Sequence, residues 1–204
     1  MDWIYWVLLA AVAICFVSFT YHFIRLVRLG RPRDLSRKAG NTGPAIVYSF
    51  TSAMSPANKE SAFMHLPTYT AGIIFHIATF VSLATLVLIL ADVPLSHVFR
   101  MLLVSTAFAG SVSGLAILVK RIVDKKLRTL SNPDDYISNL LVTVFQLLTG
   151  LALLFDSLYP AYLLLTALLF LYMPVGKLKH IIYFFAARYH LGFFYGWRNV
   201  WPPR

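Results

Sequence analysis

Five long apolar segments alternate with polar segments along the chain. Each of them is long enough to cross a hydrocarbon layer as an α-helix, which takes about 20 residues. The pattern predicts an all-α integral membrane protein, a five-transmembrane-helix bundle that forms a single domain over residues 1–204. The five predicted spans are residues 3–24, 66–91, 98–119, 136–158 and 161–187.

Breaks in the apolar pattern predict where the chain turns. The longest polar stretch, residues 27–64, contains scattered Gly, Pro, Ser and Asn and is typical of a loop. Within the fifth span, Pro174 and Gly176 predict a kink. Gly192, followed by the aromatic run 193–195, predicts the end of that helix.

Composition supports the membrane class and removes several others. Hydrophobic residues make up 59% of the chain and charged residues 13%, against about 25% charged in soluble domains. The chain starts Met1-Asp2-Trp3 and has its positive charges after the first apolar run, so this run is predicted to be an anchor rather than a cleaved signal peptide. The single cysteine, Cys15, excludes an internal disulfide, an iron–sulfur cluster and a thiolate zinc site.

The basic residues predict the orientation of the bundle. Seventeen of the 18 Lys and Arg residues lie in three clusters, at 25–59, 120–128 and 177–204, and the exception is Arg100. These clusters fall at alternate loops or their helix ends, which places the N-terminus outside and the C-terminus in the cytoplasm. The net charge of +10 is explained by this topology and by anionic headgroups, so nucleic-acid binding is not predicted.

Four histidines lie on the second and fifth segments, His65 and His76 on one and His180 and His190 on the other. Histidine in a membrane span is costly and usually functional, and two opposed imidazoles are what bis-histidine haem requires. The helical rise from His65 to His76 is about 16 Å and that from His180 to His190 is about 15 Å, so the two pairs of positions match in depth. With the predicted orientation, His65 meets His190 on the cytoplasmic side and His76 meets His180 deeper, which predicts haem between helices 2 and 5.

Alternatives remain for each histidine. If the fifth helix is straight, the 20 residues from Pro160 carry His180 about 30 Å inward, to the depth of His65. His65 and His180 would then be the two ligands of a single haem. His22 and His97 are predicted to be interfacial or bonded to a neighbouring helix. Zinc and non-haem iron are disfavoured because no acidic residue accompanies the four histidines. Without a Cys-x-x-Cys-His motif, the haem is expected to be b-type.

Two motifs contain the histidines. The first runs from Ser61-Ala62-Phe63-Met64-His65 through Gly72-Ile73-Ile74-Phe75-His76, and the second is Met173-Pro174-Val175-Gly176-Lys177-Leu178-Lys179-His180. They resemble the two-histidine second helix and the Pro-x-x-basic-Leu-x-His motif of the membrane cytochrome b subunit of respiratory nitrate reductase. Relatives of that subunit occur in heterodisulfide-reductase-type and sulfite-reduction-linked complexes. Asp134-Asp135-Tyr136, followed by Gly150, is similar to the family's fourth helix.

The resemblance implies a function for the chain and roles for its residues. It implies a di-haem b electron-transfer subunit between quinone, with menaquinone favoured, and a cytoplasmic iron–sulfur subunit of a respiratory oxidoreductase complex. The chain would lie in the prokaryotic cytoplasmic (inner) membrane and would not be an enzyme by itself. The implied ligands are His65 and His190 for the cytoplasmic-side haem and His76 and His180 for the deeper haem. Apart from the resemblance, Lys177 and Lys179 flank a ligand and are expected either to offset haem propionate charge or to be interfacial lysines. Gly72 is expected to let a quinone ring approach the deeper haem.

Two other functional classes remain. A haem-free membrane anchor or assembly subunit is the second hypothesis, and a small transporter is the third. The sequence has no internal repeat and no matched pair of Gly/Pro interruptions, which a transporter would favour. Asp92, His97 and Arg100 are further candidates for proton exchange at the outer face.

Overall fold

The computed structural model describes residues 2–30, 33–58 and 63–203. Within these ranges the chain is built of helices and turns and contains no strand. Short 3₁₀ turns cover Ser52–Met54, Pro56–Asn58, Asp156–Leu158 and Lys177–Lys179. The α-helices are α1 (Asp2–Arg28), α2 (Thr42–Phe50), α3 (Leu66–Leu90), α4 (His97–Val123), α5 (Lys125–Thr129), α6 (Pro133–Leu154), α7 (Tyr159–Tyr172) and α8 (His180–Trp197).

The apolar helices agree with the predicted multi-pass membrane bundle. Among the described residues, four helical stretches are long and apolar enough to cross a membrane, and a bent pair of helical segments makes a fifth if the pair is one span. The continuous stretches are Trp3–Arg28, Leu66–Leu90, His97–Val123 and Pro133–Leu154, and the broken pair is Asp156–Tyr172 with Lys177–Trp197.

The predicted fifth span, 161–187, is interrupted at the predicted kink. α7 ends at Tyr172 and α8 begins at His180, with the predicted kink residues Pro174 and Gly176 between them. Proline has no N–H to continue the ladder of helical hydrogen bonds, so the break falls where the kink was expected. Because the helix is interrupted there, counting helical rises from the start of the span does not give the depth of His180.

Local capping explains where several helices begin. The Asn132 side chain accepts from Asp135 N at 3.1 Å and the Asp135 side chain accepts from Asn132 N at 3.0 Å, a capping box with Pro133 at the first helical position. Ser96 caps α4 and Asp124 caps α5 through their side-chain oxygens. These caps satisfy amide groups that would otherwise lack partners at the helix starts.

The predicted loop over residues 27–64 contains a helix, α2, which the apolar pattern did not indicate. α2 has only nine residues, and its packing against α8 supplies the stabilisation that a short helix lacks in isolation. A Cβ placed on Gly192 would lie 2.5 Å from Ile46 Cα, and one on Gly196 would lie 2.5 Å from Ala45 Cβ. The absence of side chains at these glycines therefore lets the two helices approach closely.

The predicted helix end at Gly192 is wrong, because α8 continues to Trp197. Glycine is unfavourable within a helix by about 1 kcal/mol relative to alanine, and the close packing against α2 offsets that cost. Gly192 therefore serves helix packing rather than helix termination.

The chain forms two compact units, residues 1–15 with 67–178 and residues 16–66 with 179–204. We call them the bundle unit and the α2/α8 unit. In the bundle unit, α4 and α6 make the most extensive helix contact, and its core includes Leu8, Phe145 and Tyr162, which are almost fully buried.

In the α2/α8 unit, residues 34–40 are held against the C-terminal end of α8. Asp34 accepts from Arg198 Nη1 at 2.5 Å, and Trp197 Nε1 donates to Ser36 O at 2.9 Å. Hydrogen bonds from the Ser36 hydroxyl and amide, together with Arg198, lower the pKa of Asp34 to about 2. Asp34 is therefore ionised throughout the neutral range and keeps this contact there.

Candidate functional site

The most informative of the predicted ligands is His76, which lies on α3 in the bundle unit. Its side chain is exposed, and its Nδ1 lies 2.7 Å from the carbonyl oxygen of Gly72, one turn earlier. A carbonyl can only accept, so Nδ1 carries the proton, and in the neutral ring the lone pair is then on Nε2. This tautomer, fixed by a backbone carbonyl, is the usual arrangement of a metal-ligating histidine.

The other three predicted ligands belong to the α2/α8 unit. His65 is exposed in the turn just before α3, and His180 is the exposed first residue of α8. His190 is exposed further along α8, with its ring packed edge-on against Tyr189 at 5.9 Å. His65 and His190 thus share a unit, whereas His76 and His180 do not, and both ligand pairings remain predictions.

The two histidines predicted to be structural lie elsewhere. His22 on α1 is half-buried, and its Nδ1 lies 3.1 Å from the hydroxyl oxygen of Tyr183 on α8. This bond to a neighbouring helix agrees with the structural role expected of it. His97 is the exposed first residue of α4.

Gly72 and the two lysines differ in what surrounds them. A Cβ on Gly72 would meet no atom within 4 Å, so the space beside this residue is open. Lys177 forms an ion pair with Asp135, whereas Lys179 is half-buried and has no ion pair with any residue that the structure describes. Under the haem hypothesis, Lys179 is therefore the better placed of the two lysines to meet a propionate.

Sequence reasoning missed Asp135 as a charged centre. Its side chain is only 5% exposed, and Arg121 Nη1 lies 3.8 Å from it in addition to Lys177. The sequence does contain Asn-Pro-Asp-Asp at residues 132–135, which predicts a capping box at the start of a helix. It does not indicate that Lys177 and Arg121 pair with Asp135.

The described residues that could hold a cofactor are the predicted histidines. Among residues 2–30, 33–58 and 63–203, no group of three or more His, Cys, Asp or Glu side chains could hold a metal ion. Zinc and non-haem iron sites normally require such a group, whereas bis-histidine haem takes two imidazoles from the protein. His76, with Nε2 available and open space near Gly72, fits an axial ligand.

Comparison with known proteins found no matching family model, no similar curated protein and no similar solved structure. The resemblance drawn from the histidine motifs is therefore an expectation that rests on those motifs.

Proposed function

We propose that the chain is the membrane di-haem b subunit of a respiratory oxidoreductase complex. It exchanges electrons between the quinone pool, with menaquinone favoured, and a cytoplasmic iron–sulfur subunit. The observation that supports this most directly is His76, which stands on a helix long enough to cross the membrane and has its Nδ1 proton directed to the Gly72 carbonyl.

In this proposal the four histidines act in pairs. His65 and His190 hold the cytoplasmic-side haem, and His76 and His180 hold the deeper haem. Bound haem b supplies a one-electron carrier whose potential depends on its ligands and their hydrogen bonds. The Gly72 carbonyl orients the His76 ring, as the hydrogen-bond partners of metal-ligating histidines do.

The lysines before His180 have separate tasks. Lys177 is paired with Asp135 and ties the 3₁₀ turn Lys177–Lys179 to the first turn of α6. Lys179 offsets the negative charge of a propionate. The open space beside Gly72 admits the edge of a ring system.

The basic clusters support an orientation with the C-terminus in the cytoplasm of a prokaryotic cell. An iron–sulfur partner on that side would complete the electron path, since the chain has one cysteine and cannot hold a cluster of its own. The chain is therefore one component of an enzyme complex and needs its partners for turnover.

The test is a pyridine haemochrome assay on the purified full chain, expressed together with its neighbouring subunits. We expect two haem b per chain in the wild type, one in His76→Ala, and two in the control His97→Ala. A reduced-minus-oxidised spectrum identifies which haem signal is lost.

Other counts discriminate between the hypotheses. One haem in the wild type would support the single-haem alternative with His65 and His180 as its ligands. No haem in an intact complex would overturn the cytochrome assignment and leave the haem-free anchor as the function.

A further inference from the structure

A cleft of about 650 Å³ opens in the bundle unit where α3 ends, α4 begins, α6 ends and α7 begins. The polar side chains that line it come from four separate parts of the chain. They are Tyr5, Asp92, Arg100, Asp156 and Tyr159. The cleft has no part in the proposed haem sites, so the inference below stands independently of the proposed function.

The three charged residues of the cleft lack internal counter-charges. Within the described part of the chain, neither Asp92, Arg100 nor Asp156 has an ion-pair partner within 4 Å. Asp34 and Asp135, by contrast, are both paired with basic side chains. The cleft therefore offers one cationic group and two carboxylates, which complement a ligand carrying both an anionic and a cationic group.

Asp92 is held at a backbone position that normally favours glycine. Its φ is +50°, in the left-handed region. Asp92 N donates to Ile89 O at 3.1 Å and Val93 N donates to Leu88 O at 3.0 Å, the paired bonds of a Schellman motif that ends α3. An ionisable side chain at this position places a carboxylate on the tight turn at the mouth of the cleft.

The position of the cleft indicates the kind of ligand. The ends of membrane-crossing helices lie at the depth of the lipid headgroups, because the hydrocarbon core takes up their middle. Apolar side chains also line the cleft, and Leu90 and Val93 among them are 41% and 43% exposed. A phospholipid has its charged headgroup at this depth, and its acyl chains can contact the exposed apolar side chains of the cleft.

We propose that this cleft binds the headgroup of a zwitterionic aminophospholipid. The phosphate lies at Arg100, and the primary ammonium lies between Asp92 and Asp156. The hydroxyl groups of Tyr5 and Tyr159, 3.4 Å apart, supply further hydrogen bonds to the phosphate oxygens. A primary ammonium donates hydrogen bonds to carboxylates, whereas the quaternary ammonium of a choline headgroup has no N–H to donate.

The test is lipid retention measured by native mass spectrometry on the delipidated full chain. The probes are phosphatidylethanolamine and phosphatidylcholine with identical acyl chains. We expect wild-type protein to retain phosphatidylethanolamine about tenfold more tightly, as expected for charge-assisted hydrogen bonds. Asp92→Asn and Asp156→Asn should each reduce that preference without weakening phosphatidylcholine, and Arg100→Gln should weaken both lipids.

Matched controls change the same charges elsewhere in the bundle unit. Arg128→Gln and Asp134→Asn should leave the preference unchanged, and melting temperatures measured in parallel identify any variant that is misfolded. Arg100→Lys, which keeps the charge, should retain most of the binding.

Four results would overturn the proposal. The first three are equal retention of the two lipids by the wild type, tighter retention of phosphatidylglycerol when it is added as a third probe, and a preference that survives both aspartate substitutions. The fourth is displacement of the lipid by menaquinone in an Arg100-dependent manner, which would assign the cleft to quinone instead. None of these results changes the haem count, so the failure of this proposal is separable from failure of the proposed function.

Discussion

At the residue scale, small side chains decide how closely the helices of the bundle unit approach. Gly110 on α4 faces Ala78 on α3 and Gln146 on α6, and a Cβ placed on it would lie 2.1 Å from Ala78 Cβ and 2.5 Å from Gln146 Oε1. Gln146 is fully buried, and its Nε2 donates to Phe75 O at 2.9 Å and to Thr79 Oγ1 at 2.7 Å. One glycine thus gives three helices room around a buried amide.

Gly110→Ala tests this packing. Alanine is the better helix former, but the added methyl group cannot fit without displacing Ala78 or Gln146. We expect a loss of about 1–3 kcal/mol in the free energy of unfolding, seen as a lower melting temperature in detergent. The control is Gly43→Ala on α2, where the nearest atom to the new Cβ is Asn41 Oδ1 at 3.6 Å, an ordinary contact. Equal melting temperatures for the two variants would contradict the packing argument.

At the element scale, the first turn of α6 holds the segment that follows α7. The buried Asp135 pairs with Lys177, and Ser138 Oγ lies 3.4 Å from the hydroxyl oxygen of Tyr172. A Cβ on Gly176 would lie 2.5 Å from the Tyr172 ring, so a larger residue there would have to displace that ring. Side-chain contacts therefore determine where the break after α7 lies, in addition to the proline.

Asp135→Asn tests this contact. The amide side chain can still accept a hydrogen bond from Asn132 N. The substitution removes the negative charge with which both Lys177 and Arg121 pair. We expect the free energy of unfolding to fall by about 1–3 kcal/mol. This is less than the cost of breaking a fully buried ion pair, because the Lys177 side chain is 55% exposed and solvent screens its charge. Asp134→Asn, which loses only a bond to Ser138 Oγ, is the control and should melt close to the wild type. A similar loss in both variants would mean that helix-start charge, not the ion pair, is responsible.

The sequence predicted these elements unevenly. The apolar runs located the long helices, and Pro174 with Gly176 located the break. α2 was missed because nine residues inside a polar stretch do not form a periodic pattern long enough to stand out, and because the glycines that hold it lie about 150 positions away, on α8. Gly192 was misinterpreted for the same reason, since its role depends on a helix that the pattern did not reveal.

At the scale of the whole molecule, the basic clusters predict the orientation in the membrane. The chain has one cysteine, Cys15, which is buried, so Cys15→Ser supplies a background for single introduced cysteines. We expect a membrane-impermeant maleimide to label Ala91→Cys in intact cells and Leu130→Cys only after permeabilisation. Both positions are exposed and lie between long helices. The reverse labelling pattern would contradict the orientation predicted from the basic clusters.

The sequence by itself determined the class of the protein and the placement of its long helices. Backbone polar groups have no water to bond in lipid, so an apolar run of sufficient length must form a helix whatever its neighbours are. The four candidate haem ligands could also be identified from the sequence, because histidine is rare and costly in such runs. These inferences need only the local order of residue types.

Only the tertiary structure decided which distant side chains meet. It paired Lys177 with Asp135, which makes Lys179 the better candidate for a propionate, and it fixed the tautomer of His76 through the Gly72 carbonyl. It also brought Asp92, Arg100 and Asp156 to one cleft. The physical reason is that contacts between helices depend on how each helix is rotated about its axis and on how closely small residues let two helices approach. The apolar pattern of a membrane helix indicates neither of these.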